Sequence, residues 1–276
     1  MVIEKEITAN IFCQGRWLVA ASTVAFVSGC ASQAHLPAQP NTLPRNSIAP
    51  LAHKSPSAKV SRLRPVDYLP PVQPQVILHL SSRKRVVALT FDACQTRKPA
   101  RYDQRIIQIL RQTKTPATLM LGGRWMETHP AVTRGLAANP LFELGNHSYL
   151  HPHMTKIALP QMREEIQKTQ RILFHLTGKR AVLFRPPYGE YNPALVRMAG
   201  SLGLKTLMWD VETGDPDPHE SAKSIIHTVL SQARPGSIVI MHVNGRGWHS
   251  AEALPTIIRS LRQRGFKFKT ISEAQK

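Results

Sequence analysis

A rhythm along residues 86–271 constrains this chain more than any other feature: short apolar runs rich in β-branched residues alternate with segments of helical period. "VVALTFD" (86–92), "ATLMLGG" (117–123), "LFELGNH" (141–147), "AVLFRPPYG" (181–189), "KTLMWDV" (205–211), "SIVIMH" (237–242) and "FKFKTI" (266–271) read as strands. Between them fall helices. Residues 102–114 carry Ile106, Ile107, Ile109 and Leu110 at helical spacing, and 160–178 opens on Pro160 and stops at Gly178. Others are expected near 130–138, from Pro193, near 219–232 and near 251–264. Strands separated by helices pair in parallel, because the helix carries the chain back to the starting edge. The pattern therefore predicts an α/β fold on a parallel sheet, open or closed into a (β/α) barrel. Active sites of such folds form at the C-terminal strand ends. Here those ends hold Asp92, His147, Arg185, the acidic stretch from Asp210 to Asp215, and His242.

The sequence ahead of this pattern is of another kind. "RWLVAASTVAFVSGC" (16–30) is a basic residue, a short apolar run and then Val27-Ser28-Gly29-Cys30. The run is too short to span a bilayer and has signal-peptide length. Its ending resembles a bacterial lipobox, so residues 1–29 are expected to be a lipoprotein signal peptide and Cys30 to carry lipid. Ala31-Ser32 has no acidic residue, which predicts outer-membrane sorting, facing the periplasm. Residues 30–75 are expected to be a tether: positions 31–75 hold nine prolines and no sustained period. The folded domain is then 76–276. Cys13 would leave with the signal and Cys30 would be acylated, so Cys94 alone remains and no internal disulfide is expected.

The formal charge of +19, with pI near 10.5, points to an anionic partner. Glu4, Lys5, Glu6 and Arg16 cancel, so removing residues 1–29 leaves that charge unchanged. The cations are spread along the chain, without a zinc finger or an aromatic-interleaved single-strand motif, and nucleic acid is not the expected partner. An acidic cell-wall polymer fits a lipid-anchored basic domain.

Singly, each polar strand-end residue has an ordinary structural reading: Asp92 as a turn cap, His147 and His151 as satisfied histidines, Arg185 as the partner of a surface acid, Cys94 as packing. Together they meet the needs of metal-assisted hydrolysis. Two neutral imidazoles hold a divalent ion with positions left open. The ion activates water and polarises a carbonyl, one carboxylate takes a proton, and a second group gives one to the leaving atom.

The order "TFDAC", "NHSYLH", "RPPYG", "DVETGD" and "IVIMH" resembles the five successive motifs of the polysaccharide deacetylase family, also called the NodB-homology domain or carbohydrate esterase family 4, over residues 86–271. The resemblance implies a distorted (β/α) barrel of the NodB-homology type. It also implies a divalent metal, zinc first and cobalt, nickel or manganese as alternatives, and removal of acetyl groups from polysaccharides. By position, Asp92 is then the catalytic base, His147 and His151 the metal ligands, and Arg185 the holder of the base. The backbone N–H of Tyr188 is an oxyanion donor, Asp215 tunes the catalytic histidine, and His242 is the general acid. His153 has no role in this scheme.

The chain departs from the family pattern at three places. Where the family has the second Asp of Thr-Phe-Asp-Asp-Gly, its third metal ligand, this chain has Ala93. The replacement is left open between water, Asp92, Asp103 and Cys94, and metal affinity is expected to fall or change preference, because ligand number and charge drop. Pro216 replaces the usual tryptophan after the fourth-motif acid, and Glu212 stands where an Asp is usual. The expected function is removal of N-acetyl groups from an amino-sugar polysaccharide, either peptidoglycan or a poly-N-acetylglucosamine or chitin-like glycan. The alternatives are a catalytically weak relative that binds glycan and an esterase of O-acetylated glycan.

Overall fold

A computed structural model describes residues 69–81, 84–95 and 98–276. The expected signal peptide, Cys30 with its expected lipid, and the expected tether as far as residue 68 lie outside the described residues. No helix among the described residues is long and apolar enough to cross a membrane.

Among the described residues, nine strands form one parallel sheet: β1 (Val76–Ile77), β2 (Val86–Ala93), β3 (Ala117–Leu121), β4 (Phe142–Asn146), β5 (Leu183–Phe184), β6 (Lys205–Leu207), β7 (Val211–Glu212), β8 (Ile238–His242) and β9 (Lys267–Phe268). Their order is β1-β6-β5-β4-β3-β2-β8-β7, with β9 paired to the start of β2. No β1–β7 pairing closes the ring among the described strands, so the sheet is a curled half-barrel rather than a closed barrel. The central strand β2 is buried at all eight positions, as a parallel strand covered on both faces must be, and this explains its unbroken apolar run.

The helices are α1 (Gln104–Gln112), α2 (Gly123–Thr128), α3 (Pro130–Ala138), α4 (Leu159–Thr177), α5 (Pro193–Ser201), α6 (Ala222–Gln232), α7 (Ser250–Gln263) and α8 (Ile271–Ala274). On α1, Ile106, Ile107 and Leu110 form the buried stripe. The longest helix, α4, has Pro160 in its first turn, where a missing N–H costs nothing, and ends at Gly178 with φ of 68°. Its buried Ile166 and Leu173 pack into the main core with Leu119 and Phe184.

Three expected elements differ. Residues 205–211 are expected as one strand, but the chain breaks over Met208, Trp209 and Asp210 into β6, second from one edge of the sheet beside β1, and β7, at the other edge. Only Leu183 and Phe184 of 181–189 pair, since Pro186 and Pro187 have no N–H for a ladder. Helix α2 occupies the place of the Gly122-Gly123 strand end.

Candidate active site

The C-terminal ends of β2, β4, β5 and β8 converge on one cleft, lined among others by Asp92, Cys94, His147, His151, Asp215 and His242. Parallel register places two of these side by side, because Asp92 of β2 is the direct partner of His242 on β8.

Asp92 is 3% exposed and Arg185 fully buried. Arg185 Nη1 donates to Asp92 Oδ1 at 2.7 Å, while its Nη2 donates to Thr90 Oγ1 at 2.8 Å and to the Met208 carbonyl at 3.2 Å. Burial acts to raise the Asp92 pKa. The charge of the Arg185 guanidinium leads the influences that outweigh it, together with its hydrogen bond, and holds the carboxyl below its ordinary 3.8. Asp92 is therefore an ionised, oriented acceptor.

His147 Nδ1 lies 2.8 Å from the Arg185 carbonyl. A carbonyl only accepts, so Nδ1 carries the proton and the Nε2 lone pair is left for the cleft, where Nε2 stands 3.4 Å from Asp92 Oδ2. His151 sits with ring centroid 4.9 Å from that of His147. Burial is the largest influence on both rings, lowering the His147 pKa and taking His151 down to about 3. Both imidazoles are thus neutral, the form that ligates a cation. These donors fit a divalent metal.

The loop that carries the two histidines is braced from α4. Glu165 Oε2 accepts the backbone N–H groups of Tyr149 and Leu150, each at 2.8 Å. Asn146 donates to the Ile166 carbonyl at 2.9 Å and accepts from Ser148 N–H at 3.0 Å. Of the four non-glycine residues with positive φ among the described residues, Ser148, His151 and Tyr188 all belong to this region. Backbone in that conformation persists only where the surroundings hold it.

On the other side, His242 Nδ1–H donates to Asp215 Oδ1 at 2.8 Å, leaving Nε2 for the cleft. Burial works against the imidazolium, but the hydrogen bond and charge of Asp215, with Asp92, raise its pKa above the ordinary 6.5. Asp215 Oδ2 in turn accepts the His242 N–H at 2.7 Å and the Ser250 hydroxyl at 2.5 Å. Gly247 makes this clustering fit: a Cβ there would lie 2.3 Å from the His242 carbonyl oxygen and 2.7 Å from Asp215 Oδ2. Gly247→Ala is expected to cost about 1–3 kcal/mol through overpacking, seen as a melting temperature lowered by several degrees.

Cys94 follows Asp92 by two positions, and its Sγ and the ring nitrogens of His147 and His151 lie within 4.8 Å of one another. Burial, then the charge of Asp92, pushes the free thiol up to about 12, so it is no nucleophile in this state. Ala93 between them is fully buried in the main core.

Other expected residues fall elsewhere. Asp103, an open choice for the third ligand, caps α1: Oδ1 accepts the Arg105 N–H at 3.0 Å, and the Arg105 guanidinium closes on the same carboxylate at 2.7 Å. Asp210 is not at the cleft. It accepts the Ile238 N–H at 2.6 Å and the Ser237 hydroxyl at 3.0 Å, at the start of β8. His153 pairs with Glu190 at 3.0 Å and stacks on Tyr188, centroids 4.2 Å apart. Tyr188, with its side chain 53% exposed, stands on the rim. Pro216 lines the wall where a tryptophan was missed, and Trp209 from the β6–β7 link supplies an aromatic face. Thr90, Glu165, Asn244 and Ser250 escaped the sequence reading, because no local pattern marks a residue whose partner lies across the fold.

Residues 79–207 match the sequence model for polysaccharide deacetylase. A peptidoglycan-N-acetylglucosamine deacetylase of Bacillus cereus is 34% identical over 191 residues, 68% of this chain and 67% of that protein. The crystal structure of the Bc1960 peptidoglycan N-acetylglucosamine deacetylase superposes with a TM-score of 0.67 at 30% identity, covering 72% of this chain and 92% of that one. The Bacillus anthracis CE4 family pseudoenzyme BA3943 superposes with the same TM-score and identity, covering 74% and 70%. The chain spans 64% and 39% of the length of two further curated relatives. On the 34% identity that extends over two thirds of a named deacetylase, and on the shared fold, this chain belongs to the polysaccharide deacetylase family.

Proposed function

We propose that the protein is a metal-dependent hydrolase that removes N-acetyl groups from an amino-sugar glycan, with peptidoglycan as the favoured substrate. One observation carries this reading. Asp92 and His242 sit on paired positions of adjacent strands, each with its own buried orienting partner, Arg185 and Asp215. A module that only binds glycan has no use for two oriented proton carriers of opposite kind. Fold alone would not decide, since a pseudoenzyme shares it.

In this reading a divalent ion, zinc first, is held by His147 and His151 and supplies Lewis-acid polarisation of the acetyl carbonyl and a lowered water pKa. Asp92 takes the proton of the attacking water while Arg185 keeps the carboxylate ionised and aimed. His242 Nε2 gives a proton to the leaving amine, and Asp215 on Nδ1 fixes the tautomer and supports the imidazolium. The backbone N–H of Tyr188 is assigned to the developing oxyanion. Exposed Tyr188 and partly buried Trp209, both lining the cleft, offer rings on which sugars stack. The charge of +19 and the lipobox of residues 16–30 support an envelope location, probing an anionic wall from a lipid anchor on Cys30.

The test is acetate released from N-acetylglucosamine oligomers and from peptidoglycan, with and without chelator. Chelator-sensitive release is expected, and His147→Ala and His151→Ala should each abolish both metal uptake and release. Ala93 favours a second reading, a glycan-binding relative without turnover. No release after loading with zinc or cobalt would establish that reading instead, and release from O-acetylated substrates alone would make the protein an esterase.

A further inference from the structure

We propose that Cys94 is the third protein ligand of the metal, so that the site is a Cys-His-His set in which a thiolate one position further along β2 does the work of the carboxylate absent at Ala93. The inference rests on the metal-dependent reading of the same cleft and adds to it a ligand and a metal preference.

Strand geometry makes the shift intelligible. Successive side chains of a strand point to opposite faces, so residues two apart share one. Asp92 and Cys94 both line the cleft, while Ala93 between them packs in the core. A carboxylate at 93 would have to be brought round from the end of the strand, whereas Cys94 already stands beside the histidines. Its Sγ and the two imidazole nitrogens lie within 4.8 Å of one another. A tetrahedral ion with metal–sulfur and metal–nitrogen bonds of about 2.3 and about 2.1 Å needs donor separations of roughly 3.5 Å. Small side-chain rotations close that gap.

A second observation is independent of that spacing. Asn244, buried two residues beyond β8, donates through Nδ2 to Cys94 Sγ at 3.3 Å and to the Cys94 carbonyl at 2.8 Å. An amide donor aimed at sulfur orients a ligand and favours the thiolate, which is what outer partners of metal ligands do. The competing carboxylates are engaged elsewhere in whole or in part. Asp103 caps α1, and Asp92 Oδ1 is held by Arg185. A thiolate also keeps the ligand number and the single negative charge of the missing carboxylate. Affinity is then retained, and what changes is softness: zinc, cobalt and cadmium gain over magnesium and manganese.

The full chain, reduced and loaded with Co²⁺, should show a sulfur-to-cobalt charge-transfer band in the near ultraviolet. Cys94→Ala should remove the band and weaken zinc binding at least ~100-fold, more than loss of an outer partner does. Cys94→Ser should lie between, and Cys13→Ser/Cys30→Ser should leave the band unchanged. X-ray absorption on the zinc-loaded wild-type chain needs no variant to fold, and should show one sulfur at about 2.3 Å with lighter neighbours near 2.1 Å. A shell of light atoms only, or a band that survives Cys94→Ala, overturns the proposal. Acetate release with a light-atom shell would remove Cys94 and leave the deacetylase reading standing. A zinc–sulfur shell without any release would do the reverse.

Discussion

Asp92→Asn should leave metal uptake intact and lower acetate release by about 10²–10⁴-fold, the usual worth of a positioned proton acceptor. The amide oxygen can still accept from Arg185 Nη1, which meets Oδ1 at 2.7 Å, so the cleft keeps its shape. What it loses is an oxygen able to take a proton. Equilibrium dialysis for zinc, run beside the acetate assay, separates the two effects. Joint loss of metal and turnover would place Asp92 among the ligands and defeat its assignment as base. The wild-type pH profile follows from the same pair. On the proposed mechanism the active form needs Asp92 ionised and His242 protonated. The acid limb therefore lies below 3.8 and the alkaline limb above 6.5, given the directions in which the two groups are shifted. Removing the Asp215 hydrogen bond, in Asp215→Asn, should bring the alkaline limb down.

Arg185→Met should be the most destabilising single change in the site, at about 3–5 kcal/mol, because it strands a buried carboxylate. Arg185 is fully buried and its two terminal nitrogens serve Asp92, Thr90 and the Met208 carbonyl. The cost has a sign in pH. In the wild type the folded-state pKa of Asp92 is depressed, so its contribution is present above 3.8 and is lost as pH falls through the folded value. Without Arg185, burial is unopposed by its main counter-charge and the folded pKa rises past the unfolded one. The deficit is then small in acid and grows as pH climbs from about 4 to about 7. Melting curves across that range, relative to wild type, should diverge. Arg185→Met/Asp92→Asn should recover most of the loss at neutral pH. A deficit equal at both ends of the range, with no recovery in the double variant, would show that Arg185 acts through packing alone.

Local signals were legible and tertiary ones were not. The all-apolar run of β2 and the Pro160 and Gly178 boundaries of α4 are written in neighbouring residues, and those elements stand where the periodicity puts them. The 205–211 segment breaks because Asp210 turns to accept the Ile238 N–H, a partner 28 positions away that no window of seven residues can contain. At the site, the strand-end rule brought Asp92, His147, Arg185, Asp215 and His242 to one cleft, since a parallel sheet puts all its C-terminal ends on one edge. The same rule failed for Asp210, which follows a strand that ends early. Cys94 is the instructive case. A motif compared position by position directs attention to Ala93, whereas the pleat of a strand gives the cleft residues 92 and 94.

Asp92 and Arg185 are 93 positions apart, and Cys94 and Asn244 are 150 apart. Such contacts close long loops, and the chain loses that entropy before the contact returns anything. For a chain made from its amino terminus, the proposed base is made long before the proposed acid: Asp92 emerges 150 residues ahead of His242. A chain that stops short of β8 holds only the first of them. The proposed chemistry is therefore silent until β8 pairs with β2, and a product that ends before β8 is inert rather than a misdirected hydrolase.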